Sequence, residues 1–569
     1  MIHSNRPMDN ITLISQHKKD KDASVKFKER RFNQWNENYY LYRDKILTNR
    51  LTQRQPVNIP IIREAIQTWI SKIDEPPLLE FESRDRTNKA KDGEIILNEL
   101  WEYTYDKLKL DLLDNLDKKT VGLQGRSFKI WGFSRGEIFC DLIDPYDIEI
   151  TPHVNSLDIS TASNIIRTNI FVPLREILAN DKYDKSEKDK LKIYLDTKQG
   201  LIKAREMNEA YERKIERLKT LGAHNFDEFH ANDVLVELNE SYKLVWSVEH
   251  NRFVRHKIVI AADFAVLYNK TLKEAIGIDI LPIVSWASDP DLNDIWSDGK
   301  ADSVRTVNKV VNTLFSQDLE NRNYRNFGMY FYNTMNGKFT PKAFDAKPFG
   351  MYGVPGNPDE IVKQMRIEPL GDTSQHISWL KDMALTSVAQ TPTERGVSNP
   401  ESKTLGEVKI NLAQSQGLNE SGAKNYRRAW KESGLIFYEL MRANSTGSIT
   451  LFKKGSDGQY REKQIMPSDW QNPKGYECKV TMKAEKDQQD QQNLEELAFI
   501  KNSFANNPVA MKIARRKELE LLNWTPDEIE QAMAFEDQMM KGPAPSPDGI
   551  SPDGAPTESP LQVNNLQPK

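Results

Sequence analysis

Four aspartates, Asp289, Asp291, Asp294 and Asp298, fall within one short stretch, SDPDLNDIWSDG. Carboxylates at such density are what a two-metal site for phosphoryl chemistry requires. Read as a calcium loop, Asp289, Asp291 and Asn293 take positions 1, 3 and 5. Position 6 is then Asp294 where the turn needs glycine, and position 12 is Lys300 where a glutamate must chelate. The calcium reading fails. A Mg²⁺-dependent nucleic-acid-processing site on the Asp289–Asp298 carboxylates stays open as an alternative. The plainer reading is that aspartates between a strand and a helix serve as caps and solvated turns.

Other chemistry is thinly represented. His224 and His230 lie six apart, as do His250 and His256, and that spacing puts helical imidazoles on opposite faces, unlike the i,i+4 pair of a zinc helix. Gly299-Lys300 and Gly337-Lys338 lack the upstream glycine of a phosphate-binding loop, because Asp294 and Tyr332 stand there. No GxSxG elbow occurs, and neither Cys140 nor Cys478 has a histidine nearby in sequence. The residues therefore point to a scaffold that is not an enzyme and needs no metal or cofactor.

The elements that must position any site alternate between helical and strand periodicity. Residues 1–25 are polar and read as a flexible N-terminus. Phe32, Trp35, Tyr39 and Tyr42 then recur at 3-4-3 spacing, the core-facing stripe of a helix. IIREAIQTWISKI (61–73) and Glu94–Lys119 predict two more amphipathic helices, the latter through Ile96, Leu100, Tyr103, Leu108, Leu112 and Leu116. SFKIWGFSRGEIFCDLIDPYDIEITP alternates like a hairpin with its tip at Ser134–Gly136. Residues 180–231 are charge-rich and read as an exposed insertion with a solvated helix over 203–221. Short strands are expected at 234–238, 243–248, 253–261, 264–268 and 278–286. A helix capped by Ser297 or Asp298 and carrying Val304, Val307, Val311 and Leu314 follows, to about Arg325. A Gly-, Pro- and aromatic-rich stretch leads to a second helix over 374–390 with Ile377, Leu380, Ala384 and Val388. After a polar turn, a long helix over about 404–443 contains Gly417, Gly422 and Gly434, which predict a kink. Strands return at 448–453 and 477–482, residues 484–540 read as helical, and the Pro/Ser-rich end with its repeated SPDG reads as disordered.

The bulk properties bound the function. The 569 residues allow about three to five structural units. Lys+Arg number 79 against 83 Asp+Glu, a formal charge of −4 that argues against a dedicated duplex-binding protein. Two cysteines cannot build a disulfide framework, which suits a reducing compartment. Mean hydropathy is −0.66, no apolar run reaches the ~20 residues of a membrane span, and the first residues lack a signal-peptide apolar core. A soluble, mixed α+β protein is expected.

The order of elements is more specific than any residue. The helix followed by VGLQGRSFKIWG…DLIDPYDIEITP, the P-I-V…DGKADSVRTVNKVVN lead into a helix, and SKTLGEVKINLAQ after a loop together resemble the portal proteins of tailed bacteriophages, over roughly residues 30–540. The resemblance implies a portal-like fold. Its wing would take 26–295, with the charged insertion 180–231 outside the shared pattern, and return at 404–483 as a long kinked helix and strands. Stem helices would be 296–325 and 374–390, the clip 326–373, the channel loop 391–403, the helical crown 484–540 and the tail 541–569.

It also implies a ring of identical subunits, usually twelve, at one capsid vertex of the virion, assembled in the host cytoplasm. Double-stranded DNA would pass transiently and without sequence preference. Partners would be the large terminase subunit, the major capsid or scaffolding protein and a head-tail adaptor, with no membrane. On this reading Glu394, Arg395, Glu401 and Lys403 belong to the channel loop. Arg305, Lys309, Arg322 and Arg325 are stem charges facing the channel or a neighbouring subunit. Tyr330, Tyr332, Phe349 and Tyr352 offer a clip docking surface, unless they form a small β core. The near-neutral charge suits a conduit, since every phosphate neutralised adds affinity and slows sliding. A virion adaptor or baseplate protein without a DNA channel is a further alternative.

Overall fold

The computed structural model describes residues 9–44, 57–73, 78–220 (without 86, 135 and 153), 234–327 (without 248 and 250), 329–332, 357, 362–365, 368–388 (without 372), 405–454, 460–503 (without 482), 508–521 and 532–533. The chain is mixed α+β and forms two units, Met1–Met482 and Lys483–Lys569.

In the first unit, helices α1 (Asn10–Tyr42) and α2 (Ile61–Lys72) precede strand β1 (Leu78–Ser83). Helices α3 (Asn88–Lys107) and α4 (Leu110–Gln124) lead to β2 (Arg126–Ser134), β3 (Glu137–Ile143), β4 (Ile148–Ile150) and β5 (Asn164–Pro173). Next come α5 (Leu174–Ala179), α6 (Lys185–Leu195) and α7 (Lys198–Thr220), then β6 (Leu235–Ser247), β7 (Arg252–Ala261) and β8 (Ala265–Thr271). After α8 (Leu272–Ile276) and β9 (Ile283–Ala287), α9 (Lys300–Phe327), β10 (Met329–Tyr332), β11 (Val362–Met365) and α10 (Thr373–Ser387) form a consecutive group. The long α11 (Leu405–Asn444) is followed by β12 (Ile449–Lys454), β13 (Tyr460–Ile465), α12 (Pro467–Trp470) and β14 (Tyr476–Thr481). The second unit contains α13 (Lys483–Ser503) and α14 (Pro508–Leu521).

Every described strand pairing is antiparallel. A three-stranded sheet runs β3-β2-β9, a five-stranded sheet runs β4-β5-β6-β7-β8, and β1-β14, β10-β11 and β12-β13 are strand pairs. One apolar core gathers Ile62, Ile66 and Trp69 of α2, Trp101 of α3, Val304 and Val311 of α9, and Tyr426, Trp430 and Phe437 of α11. Trp101 stands edge-on to Phe437 at 5.0 Å. Residues far apart in sequence thus close a single core, and the pairing of β1 with β14 ties its ends together.

Several expectations need correction, each for the same kind of reason. Residues 10–25 are the first half of α1 rather than a flexible N-terminus. Leu13 buries against Ile258, Ile260 and Val266, and polar residues beside it find partners on distant strands: His17 Nδ1 lies 3.0 Å from Ser241 Oγ, and Lys21 Nζ 3.0 Å from Glu237. Lys28, further along the same helix, is fully buried against Glu149 at 2.5 Å and donates to the carbonyls of Pro145, Tyr146 and Ile148. The helix expected over 94–119 breaks where Lys109 adopts a left-handed φ of 52°. The break turns Leu112 and Leu116 outward and brings Asp114, Asp117 and Lys118 into the core. There Asp114 accepts from Tyr426 Oη at 2.7 Å, and Asp117 from Trp286 Nε1 at 2.9 Å and Lys129 Nζ at 2.7 Å.

The charged insertion is not merely solvated. Leu191, Leu195 and Met207 of α6 and α7 bury against Val236, Leu238 and Leu267 of the five-stranded sheet. The strands expected at 234–238 and 243–248 are one strand, β6, because the polar Asn239-Glu240-Ser241 between them pairs on both sides and Glu240 meets Arg167 and Lys257. The long helix α11 is a single element of 40 residues. Gly434 is there for close approach: a Cβ would fall 2.6 Å from Leu79 and 2.7 Å from Cys478 Sγ. The hairpin β2–β3 forms as expected, with Gly136 at φ 85° in its turn.

Candidate functional site

The elements α9, β10, β11 and α10 form a helix–strand–strand–helix excursion. At about 1.5 Å per residue, the 28-residue α9 is ~42 Å long. Its first half is anchored in the main core through Val304 and Val311, where Ala384, Leu385 and Val388 at the far end of the α10 segment also bury. At the other end Asn321 Nδ2 donates to the Glu368 carbonyl, just before α10, at 3.0 Å. The two helices therefore run antiparallel, and Ile377 and Leu380 complete the apolar seam. Between them β10 and β11 pair in register, Met329 with Met365 through Tyr332 with Val362.

The excursion's base is fastened by a polar ladder that sequence periodicity missed. Asn308, Asn312 and Ser316 recur every four residues on α9. Asn308 Oδ1 accepts the Ile62 amide at 3.1 Å and its Nδ2 donates to the Ile59 carbonyl at 3.1 Å. Asn312 Oδ1 accepts the Ile59 amide at 2.8 Å, and Ser316 Oγ the Val57 amide at 3.2 Å. Helix α2 has Pro60 at its N-cap with no side-chain cap of its own, so α9 supplies acceptors for amides at its start. Lys381 of α10 adds an ion pair to Glu64 at 2.8 Å. The signal was visible as polar residues inserted at helical spacing beside the valine stripe.

The four expected stem charges all lie on α9 and divide into two kinds. Arg305 pairs with Asp302 and lies 3.6 Å from Glu37, while Lys309 reaches Glu37 at 2.7 Å; both serve to bind α9 to α1. Arg322 is exposed and pairs with Asp318 one turn away at 2.8 Å, and Arg325 is exposed near the end of α9. The outward faces of the pair carry Val310 on α9 and Trp379 and Met383 on α10. Trp379 is 63% exposed. Tyr330 and Tyr332 lie on β10, opposite Gln364 and Val362 of β11. Phe349 and Tyr352 lie outside the described residues, as do Glu394, Arg395, Glu401 and Lys403 of the expected channel loop.

The aspartate run is built as a structural loop. Asp294 accepts the Trp296 amide at 2.9 Å and pairs with Arg30 at 2.8 Å and Arg31 at 2.6 Å. Asp298 pairs with Arg31, and Asp291 Oδ1 accepts the Asn293 amide at 2.8 Å. Partial burial works against the Arg31 charge, but hydrogen bonds to Asp294 and Asp298 outweigh it and raise its pKa. Burial lowers the Lys300 pKa, with Asp289 opposing. Neither expected residue caps α9: Ser297 is buried, Asp298 is held by Arg31, and Gly299 precedes the first turn with its amide donated to Asp302 Oδ2 at 2.8 Å. Among the described residues no three His, Cys, Asp or Glu side chains gather as metal ligands. His256 hydrogen-bonds Asn269 at 2.9 Å, and His224, His230 and His250 lie outside the described residues. Burial pushes the Cys478 thiol up to about 12 and the Cys140 thiol higher still, which leaves both unreactive.

Among the described residues no helix is long and apolar enough to cross a membrane. The chain matches no protein-family model and no curated protein.

Proposed function

We propose that this chain is the subunit of a phage portal: a closed ring of identical copies around a DNA channel, which docks the packaging motor and later head-tail adaptors. One observation carries the reading. Antiparallel α9 and α10 share a core at their base and are bridged at the far end by the β10–β11 pair. That is the order of stem, clip and stem that the sequence resemblance implies. A closing ring needs each subunit to offer contact surfaces beyond those used to fold it. The stem pair has them: one side of α10 fills the core, while Trp379 and Met383 on the other stand in solvent.

In this reading Arg305 and Lys309 stiffen the stem against α1, and Arg322 and Arg325 remain for the channel or a neighbour. The aromatic strand β10 lies at the excursion's tip, where a docking surface for the packaging ATPase belongs. Electron microscopy of the purified full chain tests the proposal. Rings with a through-hole wide enough for duplex DNA are expected. Monomers, or closed assemblies without a hole, would refute it.

A further inference from the structure

Arg126, the first residue of β2, is 2% exposed. Its guanidinium donates to three neutral acceptors: Nε to the Ile295 carbonyl at 2.7 Å, Nη1 to Ser285 Oγ at 2.7 Å and Nη2 to the Ser156 carbonyl at 2.6 Å. Carbonyls and a hydroxyl orient a cation but bring no counter-charge. Among the described residues the one carboxylate that supports its charge is Asp294, and Arg30 at 2.8 Å and Arg31 at 2.6 Å already hold that group. Burial accordingly lowers the Arg126 pKa to about 10. Arg255, the other arginine buried among carbonyls, is better served, because Asp158 supports it and no second arginine pairs with that aspartate among the described residues. An unmatched charge in a dry interior is costly, and Arg126 carries one.

Arg126, together with its acceptor residues Ser156 and Ser285, borders a recess of about 20 Å³. That is room for one water molecule or one monatomic ion. The facing wall is α11, through Asn425, Arg428 and Glu432. Arg428 and Glu432 pair at 3.1 Å and cancel each other, while Asn425 Nδ2 donates to the Ala287 carbonyl at 3.3 Å. A guanidinium has five N–H groups and a carboxamide two. Three of the first and one of the second are engaged, which leaves two guanidinium hydrogens and one amide hydrogen for the recess. The recess therefore combines donors, one net positive charge and single-atom size.

We infer that this recess binds one small monovalent anion of the halide class, with Arg126 supplying the charge and Asn425 the donor on the facing wall. Water would meet the donors and leave the charge unmatched, whereas a halide meets both needs. Phosphate and carboxylates exceed the space. The ion joins β2, the loop after β4 and α11, so its binding stabilises the fold of the first unit. Every group of the site comes from a single copy, and the inference stands apart from the ring reading.

The test uses the full chain in sodium chloride and in sodium gluconate at equal ionic strength. Chloride at about one hundred times its dissociation constant is expected to lower the wild-type unfolding constant about a hundredfold. Asn425→Asp sets a fixed carboxylate in the recess at nearly unchanged volume, and its stability is expected to be the same in both salts. Equal wild-type stability in the two salts overturns the site. So does an equal gain in Asn425→Asp, which is the mark of a general salt effect. Chloride-35 line broadening of the wild type is a second measurement that needs no variant. Excess broadening that bromide removes is expected, and its absence overturns the site even where Asn425→Asp does not fold.

Discussion

Asn308 on α9 accepts the amide hydrogen of Ile62 on α2, 246 residues earlier in the chain, at 3.1 Å. Helix α9 thereby completes the start of a helix that cannot cap itself. Replacing Asn308 with alanine strands the buried Ile62 N–H, while the Ile59 carbonyl keeps the Ile61 amide at 2.8 Å. A loss of about 2 kcal/mol in urea unfolding is expected. Asn312→Ala should cost about 1–2 kcal/mol for the same reason. Undiminished stability of both would show that water serves these groups equally well.

The buried pair Lys129–Asp117, both fully shielded and 2.7 Å apart, predicts a strongly non-additive cycle. Lys129→Met leaves the Asp117 carboxylate inside with only Ser127 and Trp286 as donors, at a cost of about 3–5 kcal/mol. Asp117→Asn added to it should recover much of that loss, because no unpaired charge then remains. Denaturant titration of the single and double variants measures the coupling.

His17 predicts acid sensitivity of the α1–sheet contact. Burial lowers its pKa from 6.5 to about 4, against the pull of Asp263 and Asp20 and with the help of Lys21 and Lys243. The unfolded chain therefore binds a proton below pH 6.5 while the folded chain does not. Stability is unaffected above pH 6.5 and falls as pH drops toward 4, by about 3 kcal/mol from this group. Unfolding free energies of the wild type and His17→Gln, compared from pH 4 to 8, should diverge across that window. Parallel curves would mean that His17 is protonated in the fold.

The two kinds of arginine on α9 should separate experimentally. Arg305→Ala breaks contacts to Asp302, Asn38 and Glu37 and is expected to cost about 1–2 kcal/mol of stability. Arg325→Ala is expected to change stability by less than about 0.5 kcal/mol, as exposed substitutions do. If the ring conducts DNA, Arg325→Ala shows its effect in the salt dependence of DNA retention instead.

Deleting residues 391–403 tests the channel-loop reading. Rings should still form, while DNA packaging or retention fails. A subunit that no longer folds would remove these residues from the channel.

Much of the fold was legible locally. Apolar periodicity after Pro60 gave α2, strict alternation with glycine in the turn gave β2–β3, and the valine stripe gave α9. Each of those signals is a solvent-against-core pattern that a single element carries in itself. The order of helix, strand pair and returning helix over 300–387 was readable for the same reason. The polar interior was not. His17, Lys28, Asp117 and Asn308 look like surface residues in the sequence, and they are buried only because Ser241, Glu149, Lys129 and Ile62 reach them from distant segments. The exposure of Leu112, Leu116 and Leu292 has the converse cause: a backbone break at Lys109 and an arginine grip on Asp294 aim apolar side chains outward. Periodicity along one element sets which residues share a face. Which way that face points, and whether a charge upon it finds a counterpart, depends on partners that only the folded chain brings within hydrogen-bonding distance.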